Sequence, residues 1–226
     1  MIVLSDQAIA HRIAQIQPTI PPEVRLIAVS KQVPSVAIRA AYAAGLRDFG
    51  ESRIQEALTK KEELQDLPDI TWHMIGHLQG NKAAKALEVF DWIHSLDSLK
   101  LAQRLNELAT QRPTPPQVCL QVKFLPDPTK YGWDAVQLQS DLAALDQLTH
   151  LNIVGLMTIP PFGLPRVETQ SAFDEARNMA IAIRHQACQN IRMEQLSMGM
   201  SGDYEMAIAA GSTMVRLGRT LFGERS

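Results

Sequence analysis

Leu26-Ile-Ala-Val-Ser-Lys31 leads through Pro34-Ser35 into an alanine-rich stretch that Gly45 ends. Residues 26–30 form a short apolar run, the signature of a buried strand. Pro34 and Ser35 then open a helix that runs to residue 44, where glycine stops it. The same unit recurs along the chain. Strands are predicted at 48–50, 71–75, 92–95, 118–124, 153–158, 195–198 and 214–217. Helices are predicted at 52–64, 81–90, 98–109, 135–148, 171–189, 204–210 and 219–222. Helix 98–109 places Leu101, Leu105 and Leu108 on one face. Residues 111–117 form a proline-rich connection, and 159–167, with three prolines and a glycine, a loop. Regular alternation of strand and helix implies a parallel sheet covered by helices. Eight such units predict an α/β fold of one domain over 1–226, a closed (β/α)8 TIM-type barrel. An open doubly wound sheet is the alternative the pattern leaves.

The 226 residues suit one such domain and can bury a core without disulfides. With 46% hydrophobic residues, 20% charged and a net charge of −2, the composition lacks the basic footprint of a nucleic-acid or membrane-surface protein. The two cysteines, Cys119 and Cys188, form no CxxC pair and stand in no ligand cluster, so reduced thiols and no metal site are expected. The first 15 residues lack the apolar core of a signal peptide, and no apolar run reaches the length of a membrane span. The cytoplasm is the expected compartment.

A barrel places its chemistry where strands end and the following loops begin. Those positions hold Lys31, Glu51-Ser52, Gly76-His77, Lys130-Tyr131, Thr158, Ser197 and Gly218-Arg219-Thr220. The seventh strand runs into Ser201-Gly202 and the eighth into Gly218-Arg-Thr220, each opening a helix. Glycines and helix starts on the last two strands suit a phosphate, because backbone N–H groups can close on an anion there. Ordinary turn and capping chemistry is the competing account. Closure would set strand one beside strand eight and Lys31 beside Arg216. Partial burial and a neighbouring cation would make Lys31 a better nucleophile, whereas a solvated strand end is its plainer reading. Strand alternation turns Arg216 away from Val215 and Leu217, into the barrel. A buried arginine needs an acceptor, either a carboxylate such as Glu51 or Asp48 or a ligand nitrogen. His77 is a structural residue or an acid–base group. Ser52-x-x-Gln55 fits a capping box.

The motifs Ile27-Ala-Val-Ser-Lys31, Phe49-Gly-Glu-Ser-Arg-Ile-Gln-Glu56, Trp72-His-Met-Ile-Gly-His-Leu-Gln-Gly-Asn-Lys82, Gly155-Leu-Met157, Leu196-Ser-Met-Gly-Met-Ser201 and Gly211-Ser-Thr-Met-Val-Arg-Leu-Gly218 follow one another in order. Through them the chain resembles the pyridoxal 5′-phosphate (PLP) homeostasis proteins. That resemblance implies the PLP-binding barrel of fold type III, similar to the N-terminal domain of alanine racemase. It implies that Lys31 holds PLP as a Schiff base. It implies phosphate contacts from Ser201, Gly202, Gly218 and Thr220, and further cofactor contacts from Ser197 and Arg219. Arg216 would face the pyridine nitrogen, and Met74 and His77 would sit near the ring. The family usually carries asparagine where this chain has Ser52, at a position near the ring oxygen. Lys130 matches a lysine proposed in some members as a second PLP contact.

Arginine only donates hydrogen bonds, so Arg216 would keep the ring nitrogen unprotonated and weaken PLP as an electron sink. The sequence stops at Ser226, and no second domain supplying a catalytic base is expected. The leading expectation is therefore a non-catalytic, monomeric PLP carrier that passes its cofactor to apoenzymes and influences amino-acid and keto-acid pools. A racemase-like enzyme with His77 or Tyr131 as second base is the alternative. From the motifs alone, a Schiff-base aldolase acting on sugar phosphates is a third reading.

Overall fold

The computed structural model describes residues 5–223. Residues 1–4 and 224–226 of the expected 1–226 domain lie outside them. The elements run α1 (Asp6–Ile16), β1 (Arg25–Val29), α2 (Ser35–Ala43), β2 (Asp48–Glu51), α3 (Ile54–Glu63), β3 (Thr71–Met74), α4 (Ala83–Val89), β4 (Trp92–Leu96) and α5 (Leu99–Ala109). They continue with β5 (Gln117–Lys123), β6 (Trp133–Asp134), α6 (Ala135–Leu145), β7 (Asn152–Met157), α7 (Arg166–Arg184), β8 (Ile191–Met200), α8 (Tyr204–Ala209), β9 (Met214–Leu217) and α9 (Arg219–Phe222).

Eight strands form a closed parallel barrel in the order β1-β2-β3-β4-β5-β7-β8-β9. β9 returns to β1 with Ile27 opposite Arg216 and Ala28 opposite Leu217. The two-residue β6 is an addition that pairs with β5 outside the ring. Closure excludes the open sheet, and it puts Lys31 and Gly218 just beyond the ends of paired strands.

Alternation along each strand sorts the apolar residues into two cores. Ala28, Phe49, Ile93, Leu120, Leu156, Val215 and Leu217 face the helices and join one large cluster. Ile27, Cys119, Val154, Met157 and Met214 form a second, smaller cluster inside the ring. Polar side chains take the remaining inward positions. His73, His94, Ser197 and Arg216 are all buried; His73, Ser197 and Arg216 are each flanked on their strands by helix-facing apolar neighbours, and His94 follows Ile93.

Besides the added β6 and the later start of α3, three elements differ from the sequence reading in ways that local sequence explains. α1 is absent from it. Its helix begins where the Ser5 hydroxyl accepts from the Ala8 N–H, and Ile9 and Ile13 bury against α2 and α9. α7 starts at Arg166, five residues before the expected helix, because Pro165 fixes the preceding backbone in a helix-entry conformation. β8 begins at Ile191: Ile191 and Met193 are buried while Arg192 and Glu194 are exposed, a strand alternation extending the expected 195–198 in both directions. No helix among the described residues is long and apolar enough to cross a membrane.

Candidate functional site

Lys31 follows β1 and is half-buried at the rim of a cleft of about 780 Å³ on the carboxyl-end face of the barrel. Its backbone is held by a buried charge cluster. Lys60 of α3 donates to the Ser30 carbonyl at 2.7 Å, to Glu51 Oε1 at 2.7 Å and to Glu56 Oε1 at 2.6 Å. The Ser30 hydroxyl donates to Glu51 Oε1 at 2.6 Å. Gln32 has φ +60°, an uncommon conformation for a residue other than glycine, and its N–H donates to Glu56. Glu51 is fully buried, and burial pushes its carboxyl above the usual carboxylate range against the pull of Lys60. Its Oε2 finds no hydrogen-bond partner among the described residues.

Arg216 points inward, as strand alternation predicts, and lines the same cleft. It is only 4% exposed. Nη1 donates to Ser197 Oγ at 2.6 Å and Nη2 to the Thr158 carbonyl at 3.1 Å. The expected carboxylate partners are elsewhere: Glu51 is bound to Lys60, and Asp48 accepts from Arg25 and bonds His73. Both acceptors of this guanidinium are therefore neutral. Burial lowers its pKa to about 10, opposed by Asp203 and Cys119.

Ser201, Gly202, Gly218 and Arg219 also line the cleft. Among the described residues, chain neighbours aside, no atom lies within 4 Å of a Cβ built on Gly202, so that backbone is open to an incoming group. Thr220 is half-buried as the second residue of α9. Two further cations, Lys130 and Arg166, border the cleft. Among the described residues the lining has one acidic side chain, Asp203, which accepts the Met200 N–H at 2.6 Å, and burial raises its carboxyl pKa. Five cations against one carboxylate make the lining suited to an anion.

The remaining expected residues lie apart from the lining. Ser197 is fully buried behind Arg216. Met74 is buried in the helix-facing core. The backbone of Ser52 packs against Gly76, where an added Cβ would meet the Ser52 carbonyl at 2.4 Å. Ser52 is not the cap of α3, which begins after Arg53 and has no side-chain cap bond; the expected capping box is absent because the helix starts later than its motif requires. His77 lines a neighbouring groove, bonds Asp97 at 2.9 Å and stacks on Tyr131 with ring centroids 3.5 Å apart. Sequence reading missed Asp203 and Arg166 in the cleft, and His73 and His94 within the ring. A polar residue between apolar neighbours on a strand, as in Trp72-His-Met74, was the available signal for His73; His94, followed by Ser95, carried no such pattern.

The chain forms a closed parallel barrel with a cationic cleft at its carboxyl-end face, and residues 4–226 match the family described as "Alanine racemase, N-terminal domain". The chain belongs to the pyridoxal phosphate homeostasis protein family. The protein of that name from Synechocystis sp. is 51% identical over 212 residues, which cover 94% of this chain and 96% of that protein. The solved structure of PipY from Synechococcus elongatus PCC7942 with PLP bound has 52% identity and a TM-score of 0.91, covering 95% of this chain and 100% of PipY. Alanine racemase from Clostridium difficile 630 shares the fold at 14% identity, with a TM-score of 0.79 over 97% of this chain and 57% of the racemase.

Proposed function

We propose that this chain binds PLP through Lys31 and serves as a non-catalytic PLP carrier. The observation that carries the reading is the shared cleft: Lys31 and Arg216 line it together with Ser201-Gly202 and Gly218-Arg219. The residues fit the group chemically. Lys31 supplies an amine for a Schiff base, and the two glycine loops supply backbone donors for a phosphate. Arg216, with only neutral protein acceptors, supplies a donor for the ring nitrogen. PLP when bound supplies an electron sink, and a cationic donor at that nitrogen weakens it. Weak electron withdrawal suits transamination and most decarboxylations poorly, while racemase-like chemistry tolerates it. The carrier would act as one domain and as a monomer in the cytoplasm, with PLP-dependent apoenzymes as recipients. The Synechocystis relative, a pyridoxal phosphate homeostasis protein, and PipY, solved with PLP bound, support PLP handling.

The test is spectral and chemical. Purified protein incubated with PLP is expected to show the absorption band of a lysine-bound cofactor, and borohydride reduction followed by peptide mapping is expected to mark Lys31. Lys31→Ala should lose both. A colourless protein with no adduct on Lys31 sinks the binding reading. Interconversion of D- and L-amino acids that disappears in Lys31→Ala would replace the carrier reading with a racemase.

A further inference from the structure

A continuous line of polar side chains crosses the interior of the ring. Arg216 Nη1 donates to Ser197 Oγ at 2.6 Å. Ser197 Oγ lies 2.8 Å from His94 Nδ1. His94 Nε2 lies 2.9 Å from His73 Nδ1, and His73 Nε2 lies 2.8 Å from Asp48 Oδ1. These residues belong to β9, β8, β4, β3 and β2. Asp48 begins its strand and Arg216 faces the cleft at the strands' other end, so the line runs from the amino-end face of the barrel to the cleft. At the Asp48 end, Arg25 donates to Oδ1 at 3.3 Å and stands 5.2 Å over the Trp92 ring, which stacks on His73. Ser197, His94 and His73 have accessibilities of 0%.

Hydrogen-bond chemistry allows this line one direction when both histidines are neutral. The Asp48 carboxylate only accepts, so His73 Nε2 carries the proton. His73 Nδ1 is then an acceptor, and His94 Nε2 must donate to it. His94 Nδ1 in turn accepts, and the Ser197 hydroxyl must donate to it. That leaves the serine lone pairs for Arg216, which can only donate. The Asp48 end therefore sets the polarity, the Arg216 end is compatible with it, and each group in the line has its partner. Burial holds both histidines below their ordinary pKa, in keeping with the neutral form.

We propose that Ser197, His94, His73 and Asp48 are positioning residues, a directed relay that aims the Arg216 guanidinium into the cleft. Resting on the reading that Arg216 faces the PLP ring nitrogen, the relay sets how that donor meets the cofactor. Asp48 then acts on the site from the far face of the barrel without touching the ligand. A serine hydroxyl committed to His94 presents only lone pairs to Arg216, so the guanidinium is held by two acceptors, Ser197 Oγ and the Thr158 carbonyl. Breaking the polarity at Asp48 removes the requirement that each following proton point toward it.

Two measurements test this. In protein without PLP, long-range ¹⁵N NMR of the imidazoles is expected to show His73 and His94 as neutral Nε2–H tautomers at pH 7.5. A neutral Nδ1–H form of either, or a charged His73, overturns the relay whatever the cofactor does. With PLP, Asp48→Asn and Ser197→Ala are expected to shift the bound-cofactor absorption band and weaken PLP binding about tenfold, the size of one hydrogen bond. Ser197→Thr keeps the hydroxyl and should restore most of the affinity. A merely structural role predicts a lower melting temperature with an unchanged band and affinity in Asp48→Asn, and that result overturns the proposal. If wild-type protein shows no lysine-bound band, the PLP reading fails, and the tautomers still decide the relay.

Discussion

Lys60 Nζ lies 2.7 Å from the carbonyl oxygen of Ser30, so a buried ammonium from α3 holds the residue immediately before Lys31. The same ammonium bonds Glu51 and Glu56, and Glu56 in turn accepts from Gln32 on the far side of Lys31. Removing Lys60 strands a fully buried carboxylate. Lys60→Met is expected to cost about 3–5 kcal/mol in urea denaturation, the usual result of breaking a buried pair from one side. Adding Glu51→Gln to that variant should recover part of the loss. Equal stability of Lys60→Met and wild type would mean the cluster does not hold the loop.

The buried histidines make stability depend on pH in a defined direction. His73 and His94 are held below the ordinary value of 6.5 by burial. As pH falls below about 6.5 the unfolded chain takes up protons that the folded chain refuses. Their contribution is therefore complete above that pH and is lost as pH falls toward the depressed folded values. Each histidine contributes a slope of up to about 1.4 kcal/mol per pH unit in that window. Urea midpoints measured from pH 7.5 to 5 should fall more steeply for wild type than for a His73→Gln/His94→Gln double variant. Parallel curves would contradict the assignment.

Gly155 and Gly202 should respond oppositely to an added methyl. A Cβ on Gly155 would lie 1.8 Å from the Gln195 carbonyl oxygen, inside the pairing of β7 with β8. Gly155→Ala must push two paired strands apart, and a loss of about 3 kcal/mol or failure to fold is expected. Among the described residues, chain neighbours aside, Gly202→Ala meets no atom within 4 Å and should alter the melting temperature little. Its cost should appear in phosphate or PLP affinity, measured by titration.

Arg216 is expected to serve binding more than stability. A buried guanidinium with neutral acceptors has given up hydration without gaining a carboxylate. Arg216→Met should change the unfolding free energy by no more than about 2 kcal/mol, because lost desolvation cost offsets the two lost hydrogen bonds. PLP affinity in the same variant should fall at least about tenfold. A large stability loss with unchanged affinity would reverse this assignment.

Cys119 and Cys188 should differ in reactivity. Cys119 is fully buried inside the ring, and burial raises its thiol pKa to about 12. Cys188 is half-buried. A thiol reagent at pH 8 should label Cys188 in folded protein and reach Cys119 only on denaturation. Mass spectrometry of the labelled protein checks the order.

Local pattern and tertiary context divided the work unequally. Alternating strand and helix carried the barrel, since βα units with buried parallel strands leave few other arrangements. Period-two alternation carried the inward direction of Arg216, and the apolar run 26–30 placed Lys31 at a strand end. The sequence by itself thus determined that Arg216 faces the interior and which end of the barrel holds the chemistry. It did not determine which inward residues meet. Strand stagger and register decide that, and they follow from closing the ring and packing its contents. Arg216 therefore found Ser197, not Glu51 or Asp48, and His94 of β4 came within hydrogen-bond reach of Ser197 of β8 across the interior. Burial of Lys60 had the same origin: on α3 it reads as a solvated charge, and only the packing of that helix over the β1 loop turns its ammonium toward Ser30. Lys31 gained its neighbours in this way, from a closure the alternation implies and a register that only the folded ring supplies.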